Sequence, residues 1–235
     1  MEQMTHQMMG YDRTSTMFSP DGRLLQVEYA KEAVRQGSTA IGLVCKDGVL
    51  LIADKRVVDK LMVGTSVEKI FQIDDHIGAT ATGFVMDGRV LIEKAQVMAQ
   101  QHRVTYAVPI ETPSLVKEVA DMKQFYTQYG GARPFGVSIL FIGVDDGHPK
   151  LFVTDPTGIF FEFKATAIGE GEVEAKEFLR KTYKETMNIE EGAATAMQAL
   201  KKVLGKEFDI RRIDGAYIKT AEKQFHRMDK RLLRG

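Results

Sequence analysis

Apolar positions change period repeatedly along this chain, and each change marks a different element. Over residues 21–35, Leu25, Val27, Tyr29, Ala30, Ala33 and Val34 recur at helical spacing and spread over a wide arc at about 100° per residue. Glu28, Lys31, Glu32 and Arg35 take the remaining face as favourable i,i+3 pairs. Ser19 or Asp21 is the expected N-cap, with Pro20 at the first helical position if Ser19 caps, and Gly37 is expected to end the helix in a left-handed conformation. Leu24 interrupts the charged face, so it is either an isolated exposed apolar residue or a contact for another chain. An arc too wide for one layer also predicts contact with further copies closing a ring, with Val27 the position to test.

After Gly37 the pattern becomes extended. Residues 38–44 and 49–53 flank Lys46-Asp47-Gly48, a strong hairpin signal, and residues 69–73 and 77–82 flank Asp74-Asp75-His76. These strands are expected to form a first antiparallel sheet. Helical spacing returns at Val85, Val90, Leu91, Ala95, Met98 and Ala99, and again from Leu115 to Phe125 after Pro113, until Gln128-Tyr129-Gly130-Gly131 breaks it. Strands are then predicted at 137–144, 151–154 and 160–163, helices at 172–184 and 189–204, and a last strand at 213–220.

Segregated runs of strands and helices predict an α+β fold with sheets packed on each other and helices outside, a four-layer αββα sandwich carrying an extra N-terminal helix over about 21–36. The continuous apolarity of 137–144 predicts a sheet covered on both faces. Residues 13–235 read as one domain. Residues 1–10, with four methionines and no periodicity, read as a mobile arm.

Composition narrows the function classes. A chain of 235 residues, 44% hydrophobic, can bury a full core, and 32 basic residues cancel 32 acidic ones, leaving no overall footprint for nucleic acid or an anionic membrane. Cys45 is the sole cysteine, which excludes an internal disulfide and fits a reducing compartment. The N-terminus lacks a signal-peptide pattern and no apolar run is long enough to span a bilayer, so a soluble intracellular protein is expected.

Most candidate motifs have ordinary readings. Gly169-Glu170-Gly171 lacks the third glycine of a phosphate loop and is followed by Glu172 and Glu174, which would repel an anion, so it reads as a tight turn. His6, His76, His102, His148 and His226 are scattered and read as surface and turn histidines, with no metal expected. The basic tail, Arg227, Lys230, Arg231 and Arg234, has no interleaved aromatic platform for RNA and reads as a solvated C-terminal helix face. Gly136-Val137-Ser138 lacks the second glycine of a nucleophile elbow, which leaves Ser138 as a strand residue.

One constellation is sharper. Ser38 opens the first strand, Asp54 closes the second and Lys69 opens the third, so the three could converge as hydroxyl, carboxylate and ammonium. Ser38, however, has 37 residues ahead of it, so its nitrogen is an amide and cannot act as a base. A self-processing N-terminal nucleophile hydrolase, cut between Gly37 and Ser38, is the alternative. A propeptide need only be removable, whereas this segment carries a helix with a burial arc.

The run Tyr11-Asp12-Arg13, then Phe18-Ser19-Pro20-Asp21-Gly22-Arg23-Leu24-Leu25-Gln26-Val27-Glu28-Tyr29-Ala30, is highly specific. Gly37-Ser38-Thr39-Ala40, Asp54-Lys55, Glu68-Lys69-Ile70 and Gln128-Tyr129-Gly130-Gly131 continue it, with Arg133-Pro134 and Gly136-Val137 beyond. In these motifs, and from about Tyr11 to the final strand, the chain resembles α-type subunits of the 20S proteasome, of the archaeal kind. The resemblance implies a fold similar to N-terminal nucleophile hydrolases but no catalytic residue, cofactor or metal. It implies a cytoplasmic outer ring of seven copies over catalytic β subunits, through which unfolded polypeptide passes for degradation. The arm, up to about Asp12, would gate the pore, with Tyr11, Asp12, Arg13, Pro20 and Tyr29 as gate residues and Tyr129, Gly130 and Gly131 as the pore annulus loop. Lys69 would receive the C-terminal carboxylate of an ATPase activator in a pocket between neighbouring subunits, with Gly37 and Leu24 lining it. No nucleic acid or membrane partner is implied.

Overall fold

The first helix starts later than its capping signals suggest. In the computed structural model, which describes residues 10–56, 61–64 and 66–234, Ser19-Pro20-Asp21-Gly22 closes a tight turn instead of a first helical turn. Gly22 N–H donates to the Ser19 carbonyl at 2.8 Å, and Arg23 N–H donates to Ser19 Oγ at 3.2 Å. Gly22 lies at φ +73°, which no right-handed helix accommodates. Helix α1 therefore spans Leu25–Arg35, with Leu24, not Ser19 or Asp21, at the N-cap. The expected arm falls mostly on residues 1–9, with His6, and these lie outside the described residues.

The other end of α1 also departs from expectation. Gln36 is the C-cap, and Gly37 is not among the residues of positive φ. A glycine is required there for packing, because a Cβ on Gly37 would lie 2.6 Å from the Gly83 nitrogen and 2.7 Å from Thr82 Cγ2. Leu25, Val27, Ala30 and Val34 are buried within this one chain, packed towards two strands of the second sheet. Val27 is thus a core residue and not a contact with another copy. Only Tyr29 and Ala33 of the arc keep an accessible face.

Strands β1 (Ala40–Cys45) and β2 (Gly48–Asp54) form the first hairpin, and β3 (Ile70–Asp74) and β4 (Ile77–Gly83) the second. They do not share a sheet. With β5 (Val137–Asp145), β6 (His148–Thr154), β7 (Phe160–Glu162), β8 (Ala165–Ile168), β9 (Ile213–Lys219) and β10 (Phe225–Arg227), the strands make two five-stranded sheets. Their orders are β10-β9-β2-β1-β8 and β3-β4-β5-β6-β7, with every pair antiparallel. Hairpin signals are local and do not say which layer a hairpin joins.

Alternation along the strands sorts side chains into three cores. Val49, Leu51 and Ala53 of β2 meet Leu140 and Ile142 of β5 between the sheets. Leu50 and Ile52 face outward onto α4 (Glu172–Thr182) and α5 (Ile189–Leu204). Ile139 and Phe141 face outward onto α2 (Val85–Tyr106) and α3 (Thr112–Gln128). The result is the expected αββα sandwich, with β5 buried along its whole length. Residues 189–204 form α5 as predicted, closed by a capping box in which Glu191 N–H donates to Asn188 Oδ1 at 2.8 Å and Asn188 N–H to Glu191 Oε2 at 2.9 Å.

Other expectations need correcting. The basic tail is not a helix face: Arg227 belongs to β10, and Leu232–Arg234 is a single 3-10 turn. His76 is buried in its turn, with Nε2 2.8 Å from the Ile110 carbonyl. Gly169-Glu170-Gly171 is the tight turn expected, with φ +95° and +68° at its glycines, and Ser138 is a buried β5 residue. Among the described residues no helix is long and apolar enough to cross a membrane.

Candidate docking pocket

The strand ends predicted to converge do so, across the two sheets. β1 starts just after Ser38, β2 ends at Asp54, β3 starts just after Lys69 and β4 ends at Gly83. Beside the C-terminal end of α1 these ends surround a cavity of about 610 Å³, lined among others by Gly37, Ser38, Arg56, Lys69, Phe84 and Val85. The Gly169-Gly171 turn is tied to Gly37, with Glu170 N–H donating to the Gly37 carbonyl at 2.8 Å.

The charges in and around the cavity are unevenly matched. Asp54 is fully buried and held by Arg212 through two bonds of 2.7 Å, Nε to Oδ1 and Nη2 to Oδ2, while Arg56 N–H donates to Oδ1 at 3.0 Å. Glu68 pairs with Arg227, which also donates to the Ile70 carbonyl at 3.1 Å. Both carboxylates that could balance Lys69 from within the chain are therefore engaged elsewhere. Burial pushes the Lys69 ammonium down to about 8, against the pull of Asp54, and the neighbouring Arg56 guanidinium adds to the downward push. Among the described residues no carboxylate lies within ion-pair distance of Lys69, and Ser38 makes no side-chain hydrogen bond to Lys69 or Asp54. A hydroxyl without a base is no nucleophile. A half-buried cation facing a cavity has the chemistry to receive an anion.

The remaining predicted residues are scattered around this site. Leu24 does not line this chain's cavity; it lies at the opposite end of α1, bridged to Phe18. The Asp12 carbonyl accepts from Gln26 Nε2 at 2.6 Å, which brings it onto α1. Arg13 and Pro20 are exposed, and Tyr29 sits on the accessible side of α1, beside a shallower groove shared with Ala33, Gly37 and Phe84. Tyr11 is half-buried. Tyr129 caps α3 with its ring 5.3 Å from Phe125, and Gly130 and Gly131 face open space. Just beyond that loop, Arg133 grips buried Asp87 through bonds of 2.6 and 2.7 Å and lies over the Phe84 ring at 5.6 Å.

Sequence reasoning missed Arg56, Glu170 and Phe84. The Asp54-Lys55-Arg56 run and the helix-preceding aromatic were visible, but their meeting at one mouth was not.

The segment carrying the turn and α1 is also what known proteins share. Residues 34–218 match the proteasome subunit family, and residues 11–33 match the N-terminal signature of its A-type members. The chain belongs to the proteasome family, as an alpha-type subunit. Proteasome subunit alpha of Methanosarcina thermophila is 49% identical over 221 residues, 94% of this chain and 90% of the relative. That of Methanococcus maripaludis is 52% identical over 214 residues, covering 91% and 82%. That of Archaeoglobus fulgidus is 50% identical over 217 residues, covering 92% and 88%. The signature thus falls on the Ser19–Gly22 turn and α1, the elements that place Gly37 at the cavity.

Proposed function

We propose that this alpha-type subunit forms the outer ring of a 20S proteasome core, carries no catalysis itself, gates entry to the chamber and docks an ATPase activator by its terminal carboxylate. The observation that carries the docking role is Lys69, whose two internal candidates for charge balance, Asp54 and Glu68, are bound by Arg212 and Arg227. A charge-assisted bond to a carboxylate satisfies that ammonium. Ring formation is supported by the placement of Leu24 and Gly37. Helix α1 of 11 residues, about 16 Å, separates them, so the family reading in which both border one pocket requires a neighbouring copy, and membership of the proteasome family supports such an assembly.

Lys69→Ala should leave assembly and thermal stability nearly intact while abolishing stimulation by a peptide copied from an activator's C-terminus. A variant that fails to assemble, or that still responds fully, would remove the docking role. For the gate, deleting residues 2–12 should speed peptide hydrolysis by a particle reconstituted with β subunits, and an unchanged rate would remove it. Mass spectrometry should find residues 11–37 retained, a native mass of seven copies, and no peptidase activity without β subunits. Ser38 at the mature N-terminus with activity of its own would instead support the self-processing hydrolase.

A further inference from the structure

Arg56 stands at the mouth of the cavity in a conformation that L-residues seldom adopt, φ +48°. Such a backbone persists where its surroundings hold it. Here the amide donates to Asp54 Oδ1 at 3.0 Å, Nη1 donates to the carbonyl of Gln36, the C-cap of α1, at 2.9 Å, and Nη2 pairs with Glu170. The guanidinium shares the cavity with Lys69, and its charge acts on that ammonium. Of the four basic residues that line the cavity, Lys55 and Arg89 pair with Asp214 and Glu93, Asp54 is matched by Arg212, and Glu170 is the one carboxylate among the described residues that pairs with Arg56 or Lys69.

That counter-ion is loosely held. The Arg56 and Glu170 side chains are 38% and 61% exposed, and ion pairs in such settings contribute little. A terminal carboxylate entering beside Lys69 would meet a point charge on one side and a planar two-pronged donor on the other, the geometry guanidinium offers and lysine alone does not. We propose that Glu170 is an internal stand-in for the docking carboxylate: it masks Arg56 while the pocket is empty and yields it to the incoming chain terminus. Arg56 is then the second anchor of the bound carboxylate, and Glu170 sets how tightly the pocket binds. The exchange breaks one ion pair and forms another, with no covalent change. It rests on the docking role of Lys69 and adds its regulation.

The test uses the full chain in its assembled form and the peptide acetyl-Gly-Ser-Gly-Leu-Phe, as free acid and as C-terminal amide, with affinity read by calorimetry. Wild type should prefer the acid. Glu170→Gln should tighten the acid about threefold, the scale of an exposed ion pair, and leave the amide unchanged. Arg56→Gln should weaken the acid about tenfold, and the gain from Glu170→Gln should vanish in the Arg56→Gln background. Should Arg56→Gln not assemble, Arg56→Lys, which keeps the charge but not the fork, should still weaken the acid. A Glu170→Gln protein with unchanged acid affinity, or a gain that persists without Arg56, overturns the masking. Wild type that binds acid and amide equally overturns the Lys69 docking role itself, and so the two failures are distinguishable.

Discussion

Raising the pH from 7 to 9 should weaken carboxylate docking at Lys69 about tenfold, far below the pH at which an ordinary lysine loses its charge. Burial pushes this ammonium from 10.5 down to about 8. In the empty pocket the protonated fraction then falls from about nine-tenths at pH 7 to about one-tenth at pH 9. Only the ammonium makes the charge-assisted bond, so the apparent affinity follows that fraction, a loss of about 1.4 kcal/mol. Bound carboxylate favours the charged form, so at pH 8 each binding event should take up about half a proton. Calorimetry in buffers of different ionisation enthalpy reads that uptake directly. Lys69→Arg, charged throughout the range, should bind with no such pH dependence. A flat wild-type response between pH 7 and 9, or the same tenfold loss in Lys69→Arg, would refute the reasoning. Fold stability responds in the opposite sense from binding. The folded chain holds this proton less tightly than the unfolded chain, so Lys69 burdens the fold below pH 8 and the burden lifts as pH rises towards 10.5.

Lys123 offers the same physics without a ligand. It is fully buried, its ammonium donates to Thr154 Oγ1 at 2.8 Å and the Thr154 carbonyl at 3.2 Å, and burial pushes it down to about 7. Its contribution to unfolding free energy should rise between pH 7 and 10.5 by up to about 1.4 kcal/mol per unit, and urea titrations of Lys123→Met should lack that slope. Gly37→Ala should cost about 1–3 kcal/mol in a thermal melt, because its Cβ meets the Gly83 backbone nitrogen at 2.6 Å. Val27→Asp buries an unpaired carboxylate inside the single chain, so circular dichroism should report loss of subunit folding and not merely of assembly.

Elements with strong local signals were legible, whereas the short strands β8 and β10 were missed and α4 stops at Thr182, short of the predicted residue 184. The 3.6-residue pattern delimits α5, and the unbroken apolar run of β5 announces a sheet covered on both faces. Strand ends alone also brought Ser38, Asp54 and Lys69 to one region, although Asp54 lies buried behind the cavity that Ser38 and Lys69 line. Where two local signals compete, sequence could not choose: Ser19-Pro20-Asp21-Gly22 suits a helix start or a tight turn, and the φ of Gly22 decided for the turn. Period 2 identified the first two hairpins but not their separation into two sheets, since pairing within a hairpin carries no information about which layer it joins. What tertiary structure alone decided is how the charges around the pocket pair. Asp54 is matched by Arg212, 158 residues away, and Glu68 by Arg227, 159 residues away in a tail that reads as solvated. No spacing in the chain encodes those pairings. They arise because β9 folds back beside β2 and β10 pairs on its outer side, and they leave Lys69 with no carboxylate at ion-pair distance among the described residues.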